Sequence, residues 1–284
     1  MPSLIDLRRR IRTVKNTQQI TKAMKMVAAA RLRRSQDKIL QTRPYALELR
    51  RVIQNLAAAA GGEAPHPLLE VRPEQKVLLT VVSGDKGLCG SFNANVLRRA
   101  ERERRALGSV DLLLLGKRGA DFYGRRRVSV RAAHRALFTN ITYEAASEIA
   151  DDVIAAFTSG EYDAVYVVYN QFVSVLRQDL TVEKLLPVES QEARSARVVD
   201  YLFEPSPEAI LADLLPRFVT FQVYRVLLES QAAEHAARMT AMDAATKNAG
   251  ELIDKLSLKY NRSRQAAITK ELIEVVSGAN ALGG

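Results

Sequence analysis

The residues of this chain best suited to hold a ligand lie in SGDKGLCGSFN, Ser83–Asn93. The stretch follows a β-branched run, KVLLTVV (76–82), and precedes a helix-forming segment, the setting in which backbone N–H groups at a helix start receive phosphate. Its spacing argues against that chemistry. Lys86 is followed by Gly87 instead of Ser or Thr, so this is no Walker loop, and the GxGxxG spacing is absent. A tight strand-to-helix turn that needs its glycines, with Cys89 packed nearby, is the plainer expectation. An enzyme using this loop would lose its ATP affinity in Lys86→Ala. A second stretch, GKRGADFYGRRR (116–127), interleaves Phe122 and Tyr123 with basic residues, a pattern that can stack single-stranded bases. One short patch reads better as a solvated loop or a protein contact. The three histidines, His66, His134 and His235, are scattered and form no metal signature with Cys89. With no Ser/His/Asp set or carboxylate pair either, the sequence argues against an enzyme acting alone.

These stretches belong to a central segment whose hydrophobic period is that of strands and short helices. After KVLLTVV comes a helix candidate from Ala94 to Leu107, then a buried strand, VDLLLLG (110–116). RRRVSVRAA (125–133) holds a third strand, YEAASEIADDVIAAFTSG (143–160) a helix ending at Gly160, and YDAVYVVYNQFVS (162–174) a fourth strand. TVEKLLPV (181–188) is an edge-strand candidate, because Pro187 cannot donate to a ladder. The alternation predicts an α/β, Rossmann-like module over residues 75–190 with a mostly parallel sheet. AAAAGGEAPHP (57–67) reads as helix end and linker, and residues 190–209 as a connector.

The two chain ends follow a different period. A 3–4 apolar spacing runs through Leu4, Leu7, Ile11, Val14, Gln18, Thr21, Lys25, Ala28, Leu32, Ser35, Ile39, Thr42, Ala46, Leu49, Ile53 and Leu56. A matching series runs from Leu214 through Phe221, Arg225, Leu228, His235, Met242, Thr246, Ile253, Leu256 and Tyr260 to Ala267. Each is a coiled-coil seam, giving helical segments at 1–58 and 208–284. Pro44 is expected to kink or break the first; Glu208 opens the second. Because the module joins the end of the first helix to the start of the last, the two can pair only antiparallel. The last helix, longer by about 15 residues, then overhangs by roughly 20 Å. That overhang carries Ile268, Leu272, Ile273, Val275 and Val276 with no partner helix, and an apolar tip of this kind needs a surface to sit against. The first seam turns polar at Gln18, Thr21 and Lys25, while Ile20, Met24 and Val27 lie on a shifted face. Such positions either fix register or let the helix show different faces to different neighbours; spacing alone leaves both open. His235 reads as a packed histidine.

Charge is unevenly placed. Residues 1–60 hold fourteen Lys/Arg and three Asp/Glu within a chain of net charge +10, so the remainder is close to neutral. A basic segment meets nucleic acid, anionic lipid or an acidic protein surface, or is simply a solvated face. A basic coiled-coil protein that binds nucleic acid is therefore the alternative to a mechanical role. No run of about 18 apolar residues occurs, so no transmembrane helix is expected. MPSLIDLRRRIR lacks the apolar part of a signal peptide, so no secretion is expected. One cysteine cannot make an internal disulfide, which fits a reducing compartment.

At the quoted segments the chain resembles the gamma subunits of bacterial F-type ATP synthases over its whole length. RTVKNTQQITKAMKMVAAARLRRSQ (12–36) is similar to that family's N-terminal helix. SGDKGLCGSFN resembles its SDRGLCGGxN loop, with Gly84 and Ser91 as departures. HAARMTAMDAATKNA (235–249) and ITKELIEVVSGANA (268–281) resemble its C-terminal signature, the latter through Ile268, Thr269, Glu271, Glu274, Gly278 and Ala279. The resemblance implies a central shaft, non-catalytic itself and present in one copy, that couples rotation of the membrane c-ring to ATP synthesis or hydrolysis. Its partners would be the hexamer of alpha and beta subunits, the epsilon subunit and the c-ring, with no nucleic acid and no insertion into the membrane. Mg-ATP and ADP would bind the partner subunits and no cofactor this chain. It would sit peripherally on the cytoplasmic face of the bacterial inner membrane. The resemblance implies contacts with the hexamer at Met24, Lys25, Arg238, Arg264, Gln265, Thr269 and Glu271. Lys25 departs from the acidic residue that some members carry there. The short, cysteine-free connector implies no thiol regulation.

Overall fold

The computed structural model describes residues 3–59, 66–188 and 206–282. The connector at 190–209 and the linker at 57–67 lie largely outside them. Two long helices bracket a five-stranded sheet. Helix α1 spans Leu4–Ala59, 56 residues, and α5 spans Pro207–Leu282, 76 residues. Both starts are written locally. The Ser3 hydroxyl accepts from the Asp6 N–H (3.1 Å) while the Asp6 carboxylate accepts from the Ser3 N–H (3.2 Å), a capping box that satisfies two orphan donors. At α5, Ser206 accepts from Ala209 (3.3 Å) and Pro207 takes the first helical position, where its missing N–H costs nothing.

Pro44 does not break α1, contrary to expectation. A helix-interior proline sacrifices one backbone bond and costs about 3 kcal/mol. Its surroundings offset this: Ile39, Leu49 and Ile53 stay buried in phase, and the Tyr45 ring packs on Phe221 at 5.1 Å between centroids.

Between the helices run β1 (Lys76–Val82), α2 (Phe92–Ala106), β2 (Ser109–Leu115), α3 (Lys117–Tyr123), β3 (Val130–His134), α4 (Tyr143–Thr158), β4 (Ala164–Phe172) and β5 (Gln178–Leu186). The sheet order is β3-β2-β1-β4-β5. All neighbours are parallel except β4 and β5, so the sheet is doubly wound in the Rossmann manner with an antiparallel edge. β1 lies at the centre, with Val77 opposite Val110 on one side and Ala164 on the other. The core on one face joins Leu79, Val81, Leu112, Leu114 and Val168 to Val96, Leu97 and Ala100 of α2. β5 is an edge strand, as Pro187 implied, and ends just before it. The GKRGADFYGRRR segment is not the expected loop: its first half is α3, and the third strand lies later than 125–133.

The chain forms two compact units, and the division cuts across both long helices: residues 1–28 with 239–284, and residues 29–238. Within each, α1 and α5 run antiparallel. In the first, Arg8 meets Tyr260 and Lys25 meets Asp243; in the second, Ser35 meets Gln231 and Tyr45 meets Phe221. Every seam position of α1 from Leu4 to Leu56 is buried or half-buried.

Candidate functional site

In the first unit the polar seam residues meet partners on α5. Gln18 Nε2 donates to the Thr246 carbonyl (3.4 Å), the Thr21 and Thr246 hydroxyls are 2.8 Å apart, and Lys25 Nζ donates to Asp243 (2.6 Å). Hydrogen bonds from Lys25 and then Lys247 hold the Asp243 carboxyl below its ordinary range. Gly250 lets the Gln18 amide come close, since a Cβ there would lie 3.1 Å from Nε2. These polar layers favour one register of the pair, because a slide by one residue would unpair the buried Thr21 and the half-buried Gln18.

The same unit leaves an apolar surface open. Met24 is half-buried, and Ile20 and Val27 beside it are exposed. On α5, Arg264, Gln265, Thr269 and Glu271 are all exposed, with the Thr269 hydroxyl donating to the Gln265 carbonyl of its own helix (3.0 Å). Ile268, Leu272, Ile273, Val275 and Val276 are 49–69% exposed, beyond the Arg8–Tyr260 contact. One ion pair sits among them, Lys270 with Glu274 at 3.5 Å, confined to a single helix turn.

Arg238 is placed differently. It belongs to the second unit, is 8% exposed, and points inward. Its guanidinium donates to the Gly87 carbonyl (3.3 and 3.2 Å) and to the buried Glu234 carboxylate, and its Nη1 lies 3.4 Å from His235 Nδ1. The Ser83–Asn93 loop is thus docked on α5. A Cβ at Gly84 would lie 2.8 Å from the Glu234 carboxyl carbon, so a larger residue there would have to push that carboxylate aside. The loop is also braced internally: Asn93 accepts from Gly84 N–H (2.9 Å) and donates to the Lys86 carbonyl (3.2 Å), and Asp85 accepts from Lys117 and Phe138 N–H groups (2.9 Å each). Cys89 is buried with Phe92 and Ala233, and burial pushes its thiol up. The loop forms the tight, glycine-dependent turn expected, and its polar groups, the exposed Lys86 ammonium apart, are spent on packing. Burial raises Glu234, against the pull of Arg238; burial, followed by Arg238, Arg31 and Lys86, lowers His235 to about 4, so its ring is neutral.

A second buried charge cluster escaped the sequence reading. Arg225 donates to Glu183 (2.5 Å), Tyr169 (3.0 Å), Gln222 (2.8 Å) and Glu229 (3.2 Å), and Tyr169 donates to Glu183 (2.7 Å). Burial works against the Arg225 charge, but Tyr169, Glu183 and Glu229 more than hold it. The signal was an arginine at a seam position between Phe221 and Leu228. The aromatic–basic patch offers no stacking platform: Tyr123 is fully buried, and Arg126 covers the Phe122 ring at 3.4 Å. Among the described residues no group of His, Cys, Asp and Glu could hold a metal, and no helix is long and apolar enough to cross a membrane.

A protein family described as ATP synthase matches residues 3–282. The ATP synthase gamma chain of Pelotomaculum thermopropionicum is 51% identical, covering 99% of this chain and all of the relative. That of Desulforamulus reducens is 50% identical over the same shares. Among solved structures, a chain from the central stalk and c-ring of Tetrahymena thermophila mitochondrial ATP synthase superposes with a TM-score of 0.65 at 26% identity, covering 80% of this chain and 99% of that one. A chain from the rotor of Euglena gracilis mitochondrial ATP synthase gives 0.67 at 19% identity, covering 93% and 98%, and shows the shared fold.

Proposed function

We propose, from the premise that this chain belongs to the ATP synthase gamma-chain family, that it is the central-stalk rotor of a proton-translocating F-type ATP synthase. The full-length 51% identity to a gamma chain carries this reading. The chain transmits torque between the membrane c-ring and the hexamer of alpha and beta subunits, with the epsilon subunit as a further neighbour. It is non-catalytic: Mg-ATP and ADP bind the partner subunits, and this chain holds no cofactor. It works as a peripheral subunit on the cytoplasmic face of the bacterial inner membrane. Its functional segments are the helices at 1–58 and 208–284 and the module at 75–190.

The geometry supports that work. A shaft must resist sliding of one helix past the other, and the Gln18, Thr21 and Lys25 layers oppose a slip. It must also show different faces to equivalent neighbours. In the first unit α1 exposes Ile20 and Val27 beside the half-buried Met24, and α5 exposes Arg264, Gln265, Thr269 and Glu271. The exposed Ile268–Val276 stretch suits a bearing, because apolar contact is non-directional and does not lock at one angle. Arg238 serves the hexamer through the packing of its loop on α5, and Lys25 through its pair with Asp243.

Reconstitution tests this. The purified chain alone should hydrolyse no ATP, and adding it to alpha and beta subunits should give strong hydrolysis with rotation of a label on the α/β module. Robust hydrolysis by the chain alone overturns the proposal. Truncation after Ala267 should lower torque and leave the module folded. Nothing in the comparisons speaks for nucleic-acid binding, and a gel shift at physiological salt should show none.

A further inference from the structure

We infer that Arg225 is a positioning residue of the rotor: it clamps α5 to strands β4 and β5, so that torque crosses between the helix and the α/β module without slip. This rests on the rotor reading, because a helix and a module that turn together need a junction that holds under load.

Much of the contact between α5 and the sheet is apolar. Val223 and Val226 line a small cavity with Val167 and Leu185 of the sheet, and the Thr80 hydroxyl on that wall is buried without a hydrogen bond. Such contact is non-directional: it holds the helix down but sets its roll only weakly. Torque about the helix axis is a sideways load, and it falls on the directional contacts.

Arg225 supplies these against the strands themselves. Its Nη2 donates to Glu183 on β5 (2.5 Å) and its Nη1 to Tyr169 on β4 (3.0 Å), while the Tyr169 hydroxyl donates to Glu183 (2.7 Å). The three groups close a triangle with one corner on each of α5, β4 and β5. The ladder already joins β4 to β5, with Tyr169 opposite Thr181 and Val167 opposite Glu183. Two corners are therefore fixed, and the guanidinium is held by them. Its donors form a rigid planar fork, so a roll of α5 in either sense stretches one of its two bonds. On its own helix, Gln222 and Glu229 accept from the same guanidinium (2.8 and 3.2 Å) and keep it aimed at the sheet.

Stability does not account for the cluster. The second Glu229 oxygen is buried without a partner, and burial pushes that carboxyl up. Buried ion networks add little to stability that packed apolar side chains would not; their better-attested use is to select one geometry. Arg238 and Gln231 also tie α5 to the module, through the Gly87 and Phe138 carbonyls. Both carbonyls lie in connecting segments, which yield more readily than strands.

Spin-label distances in the full chain test the clamp without relying on rotation. Nitroxides at Ala212→Cys on α5 and Gln75→Cys just before β1 occupy exposed positions, and the native Cys89 is buried and stays unlabelled. Glu183→Gln leaves Arg225 its Glu229 partner and should widen the distance distribution by about half or more. Arg225→Lys, which keeps the charge and loses the fork, should widen it as well. Val96→Ala, a core change on α2, should lower the melting temperature and leave the distribution as it is. In a complex with alpha and beta subunits, Glu183→Gln should broaden the angular spread of a labelled module at each dwell. Unchanged distributions in both clamp variants, or equal widening by Val96→Ala, overturn the clamp. A widened distribution with an unchanged angular spread overturns its part in torque. A wild-type complex that does not turn counts against the rotor reading, and the distances then still decide whether Arg225 fixes the helix.

Discussion

In residues 1–28 with 239–284, the paired helices bury one stripe each: Leu7, Thr21 and Ala28 on α1, Met242 and Ala249 on α5. The flanks face solvent, and the stripe is partly polar. In residues 29–238 the same α5 is buried on almost every side, from Leu215 through Val219, Val223, Val226, Leu227, Ser230 and Ala233 to Ala236. Seam residues face α1, while Val223 and Val226 line a small apolar cavity together with Thr80, Val167 and Leu185 of the sheet and Val153 of α4. One helix is thus a coiled-coil strand in one unit and a core element in the other. The difference teaches that helical period sets only which residues share a stripe; the number of stripes that end up buried depends on what else packs there.

The largest expected effect comes from the core-like region. Arg238→Ala leaves Glu234 buried without its cation and should cost about 3–5 kcal/mol, read as a lower urea midpoint with loss of helical signal. A change below about 1 kcal/mol would mean that the pair is dispensable. Next is a direct contrast between seam positions. Leu228→Ala, at a fully buried site, should cost about 2–5 kcal/mol, and Leu256→Ala, half-buried in the first unit, roughly 1 kcal/mol. Equal costs would erase the distinction between the regions.

His235 sharpens the comparison through pH. Its folded value, about 4, lies below the ordinary 6.5, so between these values the unfolded chain binds more protons and stability falls as pH falls. The full window is worth roughly 3 kcal/mol. Melting curves from pH 7 to 4.5 should show most of that loss, and His235→Gln should flatten it. The smallest effect belongs to the first unit. The Lys25–Asp243 pair is 44% and 33% exposed, so a double-mutant cycle should give a coupling below about 1 kcal/mol that shrinks with salt. A larger value would mean that this polar layer contributes stability as well as register.

Much of this was legible in the chain. The 3–4 spacing located every buried seam residue of α1, because burial there needs one partner helix and period alone selects the stripe. Strands β1, β2 and β4 announced themselves as β-branched or leucine runs buried on both faces. Connection lengths forced the antiparallel pairing. Illegible positions share one property, a partner far along the chain. Pro44 stays helical because Tyr45 finds Phe221. The segment after Gly116 is helical because it packs beside the sheet, and its charge run masked that. Arg238 points inward because Gly87, 151 residues away, offers a carbonyl.

Sequence by itself determined the two seams, the change of period between them, the polar interruptions at Gln18, Thr21 and Lys25, and the apolar end from Ile268 to Val276. Each is a matter of neighbours within a few turns, where backbone geometry fixes which side chains share a face. Only the tertiary structure decided that α5 has two buried sides in the second unit and that Arg225 and Arg238 are satisfied within the chain. Those arrangements depend on packing between distant segments, which no local spacing records.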